Sequence, residues 1–306
     1  MLWKVGKDNE GARAMNGNLE LLIDNKTPHG ECPIWDDKGK VLYWIDGVGQ
    51  KIHRLNPLSG EDKYLETGQC VGCIALKEDG GLIAALHHGL YCVNFEKEKI
   101  TSIIDPEEDL PQNRFNDGKC DALGRLWVGT MSIDGTVKKS GSLYKIERGK
   151  AIKVISNITI SNGIAWSEDN KTMYYIDSPT KEVAAFDFDI TKGEISNKRI
   201  AVKIPEGEGI PDGMTIDENN HLWIAHWGGG RVSKWDPVNN RKLDELKIPA
   251  INVSSCTFGG ENMNELYITT ARLESSDDTL KKYPHSGGLY RMKLRAKGKK
   301  AYRYKK

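Results

Sequence analysis

The sequence predicts an all-β protein, a six-bladed β-propeller closed around a central channel, and three observations predict it. Six short stretches rich in aromatic and β-branched residues begin at Leu42, Leu82, Leu126, Met173, Leu222 and Leu266, at steps of 40 to 49 residues. Most of them follow a polar turn, such as Asp36-Asp37-Lys38-Gly39, Glu78-Asp79-Gly80-Gly81 or Asp217-Glu218-Asn219-Asn220. Before each turn lies an earlier strand, opened by Glu31, Gly72, Asp117, Asn162, Asp212 or Ser255. A repeat of this length holds several short strands, which is the size of one propeller blade.

In chain order, Met1 to Gly17 is charged and lacks the apolar run of a signal peptide or membrane span, so residues 1–16 read as an extension and the protein as cytoplasmic. The propeller is expected over residues 17–294. The stretches Leu42-Tyr43-Trp44-Ile45-Asp46, Leu126-Trp127-Val128-Gly129-Thr130, Met173-Tyr174-Tyr175-Ile176-Asp177, Leu222-Trp223-Ile224-Ala225-His226 and Leu266-Tyr267-Ile268-Thr269-Thr270 carry the residue types that pleated, half-buried surfaces favour. Leu82-Ile83-Ala84-Ala85-Leu86 is the plainest of the set. The final strands, around Leu266 and Leu289 to Leu294, lack an outer partner in their own segment. Leu19 to Asp24 is therefore expected to complete the last blade and cover its edge. Residues 295–306 are rich in lysine and read as a solvated basic tail.

In a propeller the innermost strand of each blade lines the channel, so the six opening residues form a ring. Glu31, Asp117, Asn162 and Asp212 offer oxygens from four blades, Gly72 leaves room and Ser255 adds a hydroxyl. Several carboxylates facing one narrow channel repel unless a cation neutralises them. Glu31, Asn162 and Asp212, each opening a similar string, read as an oxygen cage for one divalent cation, with Ca, Mg, Mn and Zn all compatible with such donors.

Composition excludes several other functions. Lys and Arg number 44 against 43 Asp and Glu, for a net charge of +1, which asks for neither nucleic acid nor a membrane surface. Nothing in the chain points to an obligate protein partner. Cys70-Val71-Gly72-Cys73 has no second pair to complete a zinc cage, and Cys32, Cys73 and Cys256 share one repeat position, so the thiols read as buried packing. The nucleophile-elbow, zinc-protease, P-loop and dinucleotide signatures are missing. His226 falls at a strand end, where supporting a turn is the expected role, and Trp227 with the glycines after it is expected to shape the wall or rim beside the channel.

Asn113-Arg114-Phe115-Asn116-Asp117-Gly118-Lys119 breaks the apolar habit of the other inner strands. Arg114 can fork across vicinal oxygens and Asn116 can donate and accept, as a polyhydroxylated ligand requires. These residues, with Gly30-Glu31-Cys32-Pro33, Gly129-Thr130-Met131, Ser161-Asn162-Gly163-Ile164-Ala165-Trp166, Pro211-Asp212-Gly213-Met214-Thr215-Ile216-Asp217 and Ser255-Cys256-Thr257-Phe258-Gly259-Gly260, resemble the regucalcin (senescence marker protein) and gluconolactonase family from Leu19 to about Leu294. The resemblance implies a six-bladed propeller that hydrolyses sugar lactones with a divalent cation on Glu31, Asn162 and Asp212, and sugar contacts at Arg114 and Asn116. Where vertebrate members carry acidic residues after the Gly-Thr-Met string, the nearest carboxylate here is Asp134.

The expected chemistry is attack of a metal-activated water on the lactone carbonyl, with Asp212 as the candidate base. Two alternatives use the same architecture. One is a phosphotriesterase in which Asn116 joins the metal ligands, and the other is a non-catalytic calcium-binding regulator.

Overall fold

The computed structural model describes residues 2–3 and 18–305. The described residues form six antiparallel sheets, and the innermost strands touch one another in a closed circle. Blade 1 comprises Gly30–Asp36, Val41–Asp46, Lys51–Asn56 and Glu61–Glu66, and blade 2 comprises Val71–Leu76, Leu82–Leu86, Gly89–Asn94 and Lys99–Ile104. Blades 3, 4 and 5 begin with Asn113–Cys120, Ser161–Trp166 and Ile210–Ile216 and repeat the four-strand order. Blade 6 is built from both parts of the chain: Asn252–Gly259, Glu265–Ala271 and Leu289–Lys293 are followed outward by Leu19–Ile23.

That last pairing is the closure expected from the sequence. Leu19 pairs with Met292 and Glu20 with Arg291, whose guanidinium lies 2.7 Å from Glu20 and 3.3 Å from Glu265. Leu2–Trp3 adds a short strand outside it. The remainder of the expected extension over residues 1–16 lies outside the described residues.

Every inner strand loses register at the ring position. The ladder jumps between Glu31 and Ile34, Val71 and Cys73, Phe115 and Gly118, Ser161 and Ile164, Pro211 and Met214, and Val253 and Ser255. A bulge bends its strand and re-aims a side chain out of the pleat. The repeat thus carries the same irregularity in six copies, at the depth where the oxygens were expected. Gly72 occupies its place because a Cβ there would stand 2.5 Å from the carbonyl oxygen of Phe115 and 2.6 Å from that of Asn116.

Between the blades lie apolar layers, which is where the aromatic strands go. Trp44, Trp127 and Trp223 are at most 1 % exposed. The turns at the lower end, where inner strands finish, repeat a device of their own. Asp121 accepts from Arg125 and from the indole of Trp127, and Asp217 accepts from the backbone of His221 and from the indole of Trp223.

Residues 295–305 are not the solvated end that their lysine content suggests. They run across the lower end as a strap that bonds to turns of several blades. The Glu218 amide donates to Lys297 O, the Gly298 amide to Met263 O, the Tyr304 amide to Leu76 O and the Lys305 amide to Gly124 O. Lys299 pairs with Glu168, Lys300 with Asp37, and Arg303 with both Asp36 and Asp37. Tyr304 is only 2 % exposed. The cations are matched by acidic turns far away in sequence, so the segment binds rather than frays.

Candidate active site

The bulges bring the ring residues to the channel wall, where Glu31, Asp117, Asn162 and Asp212 are 5–7 % exposed. Each acidic member accepts the backbone N–H that follows it: Cys32 N–H donates to Glu31, Gly118 N–H to Asp117 at 2.7 Å, and Gly213 N–H to Asp212. Asn162 donates to Ser178 Oγ at 2.9 Å and also reaches Asp212. The Ser178 hydroxyl in turn donates to Pro211 O at 2.7 Å, which ties blade 4 to the residue before Asp212.

Electrostatics shows how closely these groups face one another. Burial, then the charges of Asp212 and Asp117, push the Glu31 carboxyl well above its ordinary range. Burial and Asp117 do the same to Asp212, against the hydrogen bond from Asn162. Burial also raises Asp117, with Lys119 and the Gly118 amide opposing. Two cationic side chains, Arg114 and Lys119, stand against three carboxylates. Lys119 donates to Met214 O at 2.8 Å.

Among the described residues no group of three or more His, Cys, Asp or Glu side chains is disposed to hold a metal ion. A candidate cage therefore has to draw on two carboxylates and a carboxamide, with Asp117 as a charged neighbour. Hard oxygen donors of this kind suit a divalent cation, which would relieve both the burial and the mutual repulsion.

Arg114 and Asn116 stand at the upper end. Arg114 Nη1 donates to Asn116 Oδ1 at 2.8 Å and to Phe115 O at 2.9 Å, and its Nε donates to Ile133 O at 3.2 Å. Asn116 Nδ2 donates to Ser161 O at 2.7 Å, so both ends of the carboxamide are engaged within the protein. Burial lowers the Arg114 pKa, and the carboxyl groups of Glu31 and Asp212 counter it. Asp134 follows Ile133, whose carbonyl accepts from Arg114, but makes no hydrogen bond to Arg114 or Asn116. It lies on an exposed turn, accepts from the amide and hydroxyl of Thr136, and is held below the usual carboxylate range by those bonds.

His226 is fully buried and holds a turn, as its place in the repeat suggested. Its Nδ1 meets Glu208 O at 2.9 Å, its Nε2 meets Ser233 Oγ at 2.6 Å, and burial lowers its pKa to about 4. All six cysteines are free, with Cys32, Cys73 and Cys256 buried. Below the ring, Asp117, Lys119, Cys32 and Cys256 border a cavity of about 80 Å³ whose floor includes Lys299 and Tyr302 of the strap.

Sequence reasoning missed Ser178, which carries no repeat signal because it opens a one-turn 3-10 helix, Ser178–Thr180, directly after the second strand of blade 4. It gave Lys119 no role of its own. The Asp-Gly-Lys string marks that lysine, but its distant acceptor, Met214 O, becomes visible only in the fold.

A closed six-bladed propeller with an acidic, oxygen-lined channel defines the class. The chain belongs to the SMP-30/gluconolactonase/LRE-like family, whose pattern matches residues 29–272. It is 35 % identical over 279 residues to the sugar lactone lactonase YvrE of Bacillus subtilis (strain 168), an assignment that its name marks as provisional, covering 91 % of this chain and 95 % of that one. Regucalcin of Xenopus laevis is 37 % identical over 279 residues, covering 90 % and 93 %. The crystal structure of regucalcin from Agrobacterium tumefaciens, described as a calcium-binding protein, superposes with a TM-score of 0.90 at 26 % identity, over 94 % of this chain and 97 % of that one. Family and relatives support an enzyme of the sugar lactonase kind, alongside relatives that bear the regucalcin name. No helix among the described residues is long and apolar enough to cross a membrane.

Proposed function

We propose that the protein hydrolyses sugar lactones, with one divalent cation held by Glu31, Asn162 and Asp212. The observation that carries this reading is the convergence of buried Glu31 and Asp212 with Asn162 on one channel wall, below a mouth furnished with Arg114 and Asn116. A bound divalent cation supplies a Lewis acid for the ester carbonyl and acidifies water. The remaining work belongs to side chains. Arg114 binds hydroxyl oxygens of the sugar and is itself aimed by Asn116 and Ile133 O. Asp212 takes the proton lost by the attacking water and returns it to the ring oxygen as the acyl C–O bond breaks, so water and lactone give the open hydroxy acid. Asp134, on the rim, is a further candidate for a sugar hydroxyl.

Asn116 has both ends of its carboxamide occupied, which favours three protein ligands over the four of a phosphotriesterase. Turnover of an aldonolactone panel and a phosphotriester, each with Ca²⁺, Mg²⁺, Mn²⁺ or Zn²⁺ supplied, tests the reading. Lactone opening above the uncatalysed rate is expected. Hydrolysis of the phosphotriester alone, or binding of cation without turnover of any substrate, would overturn it.

A further inference from the structure

Seven of the eight tryptophans have described side chains, and six of those, Trp35, Trp44, Trp127, Trp166, Trp223 and Trp235, are at most 4 % exposed and serve the layers between blades. Trp227 differs. It is the last residue of Leu222–Trp227 in blade 5, pairs with Ile210 two residues before Asp212, and remains half-buried at the upper end of the channel. Its indole leaves its own blade. Nε1 donates to Glu274 Oε2 at 3.2 Å, beyond the second strand of blade 6, and the ring meets His29 of blade 1 edge-to-face, with centroids 5.9 Å apart at 84°.

Two fixed contacts, one at the N–H and one at a ring edge, orient the indole without covering it. Core packing leaves no such surface free, and a merely solvent-facing tryptophan has no need of both anchors. The position is also that of the mouth: His29 directly precedes the inner strand of blade 1 and Arg114 stands at the start of the inner strand of blade 3, both at the upper end. Blades 1, 3 and 5 thus supply an imidazole, a guanidinium and an indole around one opening. A sugar ring has a polar rim of hydroxyls and an apolar C–H face, so a guanidinium for the rim and an aromatic plane for the face make a complementary pair.

We infer that Trp227 is the stacking platform for the sugar ring and sets the preference for sugar lactones over unsubstituted ones. This rests on the lactonase reading and adds a specificity residue to it. Glu274 and His29 act through Trp227, as positioning residues.

The test compares wild type with Trp227→Leu and Trp227→Phe on gluconolactone and on δ-valerolactone, which has the ring without the hydroxyls. Trp227→Leu should raise KM for gluconolactone about tenfold with kcat changing far less, the scale of one lost aromatic contact. The KM for δ-valerolactone should move much less, and Trp227→Phe should recover most of the loss. Equal changes on both lactones, or no change on either, would overturn the platform. A second measurement does not depend on turnover: ligand-observed NMR of 1,5-anhydroglucitol, which keeps the hydroxylated ring and lacks the carbonyl, should show weaker binding to both variants than to wild type, with the Leu variant weakest. If wild type opens neither lactone the lactonase reading fails, and the platform then stands or falls on the 1,5-anhydroglucitol result.

Discussion

Tyr304 offers the sharpest test of how the strap holds the propeller. The ring is 2 % exposed, belongs to the apolar cluster shared by blades 1 to 3, and sits where the backbone bonds to Leu76 O and Glu78 N–H. Truncating a buried aromatic of this size costs about 3–5 kcal/mol, because transfer energy is lost and a cavity is left. An unfolding entropy near 2.1 cal/mol/K per residue gives this chain roughly 0.6 kcal/mol per degree, so Tyr304→Ala should lower Tm by about 5–8 °C. The proposed site lies above the cavity that the strap floors, so lactone turnover at 25 °C should stay near wild type. Differential scanning calorimetry and a lactone assay on the same samples measure both quantities. A melting point within one or two degrees of wild type would refute the claim that the strap secures the lower end. Lost turnover at an unchanged Tm would mean that the strap serves the site rather than the fold.

Three further outcomes follow from the site and its surroundings. Asp212→Asn should keep some metal affinity while losing most turnover, whereas Asp212→Ala should lose both, read by metal titration beside kinetics; unchanged kinetics in the alanine variant would dismiss the site. Chelation should abolish turnover and leave the circular dichroism of the blades in place, since the apolar layers between blades hold them without the cation, and added divalent cation should restore activity. Buried His226, with its pKa lowered from 6.5 to about 4, binds a proton less readily folded than unfolded, so its contribution is complete above pH 6.5 and is lost as the pH falls towards 4. By pH 5 that loss is about 2 kcal/mol, and urea melts of His226→Gln should lack this part of the fall between pH 7 and 5; an identical fall in both proteins would contradict the neutral, buried histidine.

How much of this was legible depends on how far apart the interacting residues stand in sequence. Strands were legible because aromatic and β-branched stretches recur at Leu42, Leu126, Met173 and Leu222, and local composition suffices for them. The ring was legible because repetition turns a long-range fact into a local one: once Glu31, Asp117, Asn162 and Asp212 occupy one repeat position, closure alone brings them together. The bulges that aim them left only a trace, the glycines at 118, 163 and 213 directly after the oxygen-bearing residue, and that trace carries no register information until the ladder is seen. The strap had no such help. Arg303 finds Asp36 and Asp37 across 267 and 266 residues, outside any repeat, so a lysine-rich end looked solvated. The mouth was legible in part: Trp227 with the glycines after it read as wall or rim, but the residues that hold its indole, His29 and Glu274, stand far off in sequence and became visible only in the fold. Repetition thus discloses the channel wall, where all blades contribute alike. What lies above and below it, the rim that would select a substrate and the floor that closes the channel, is built from residues that break the repeat and so has to be read from the folded chain.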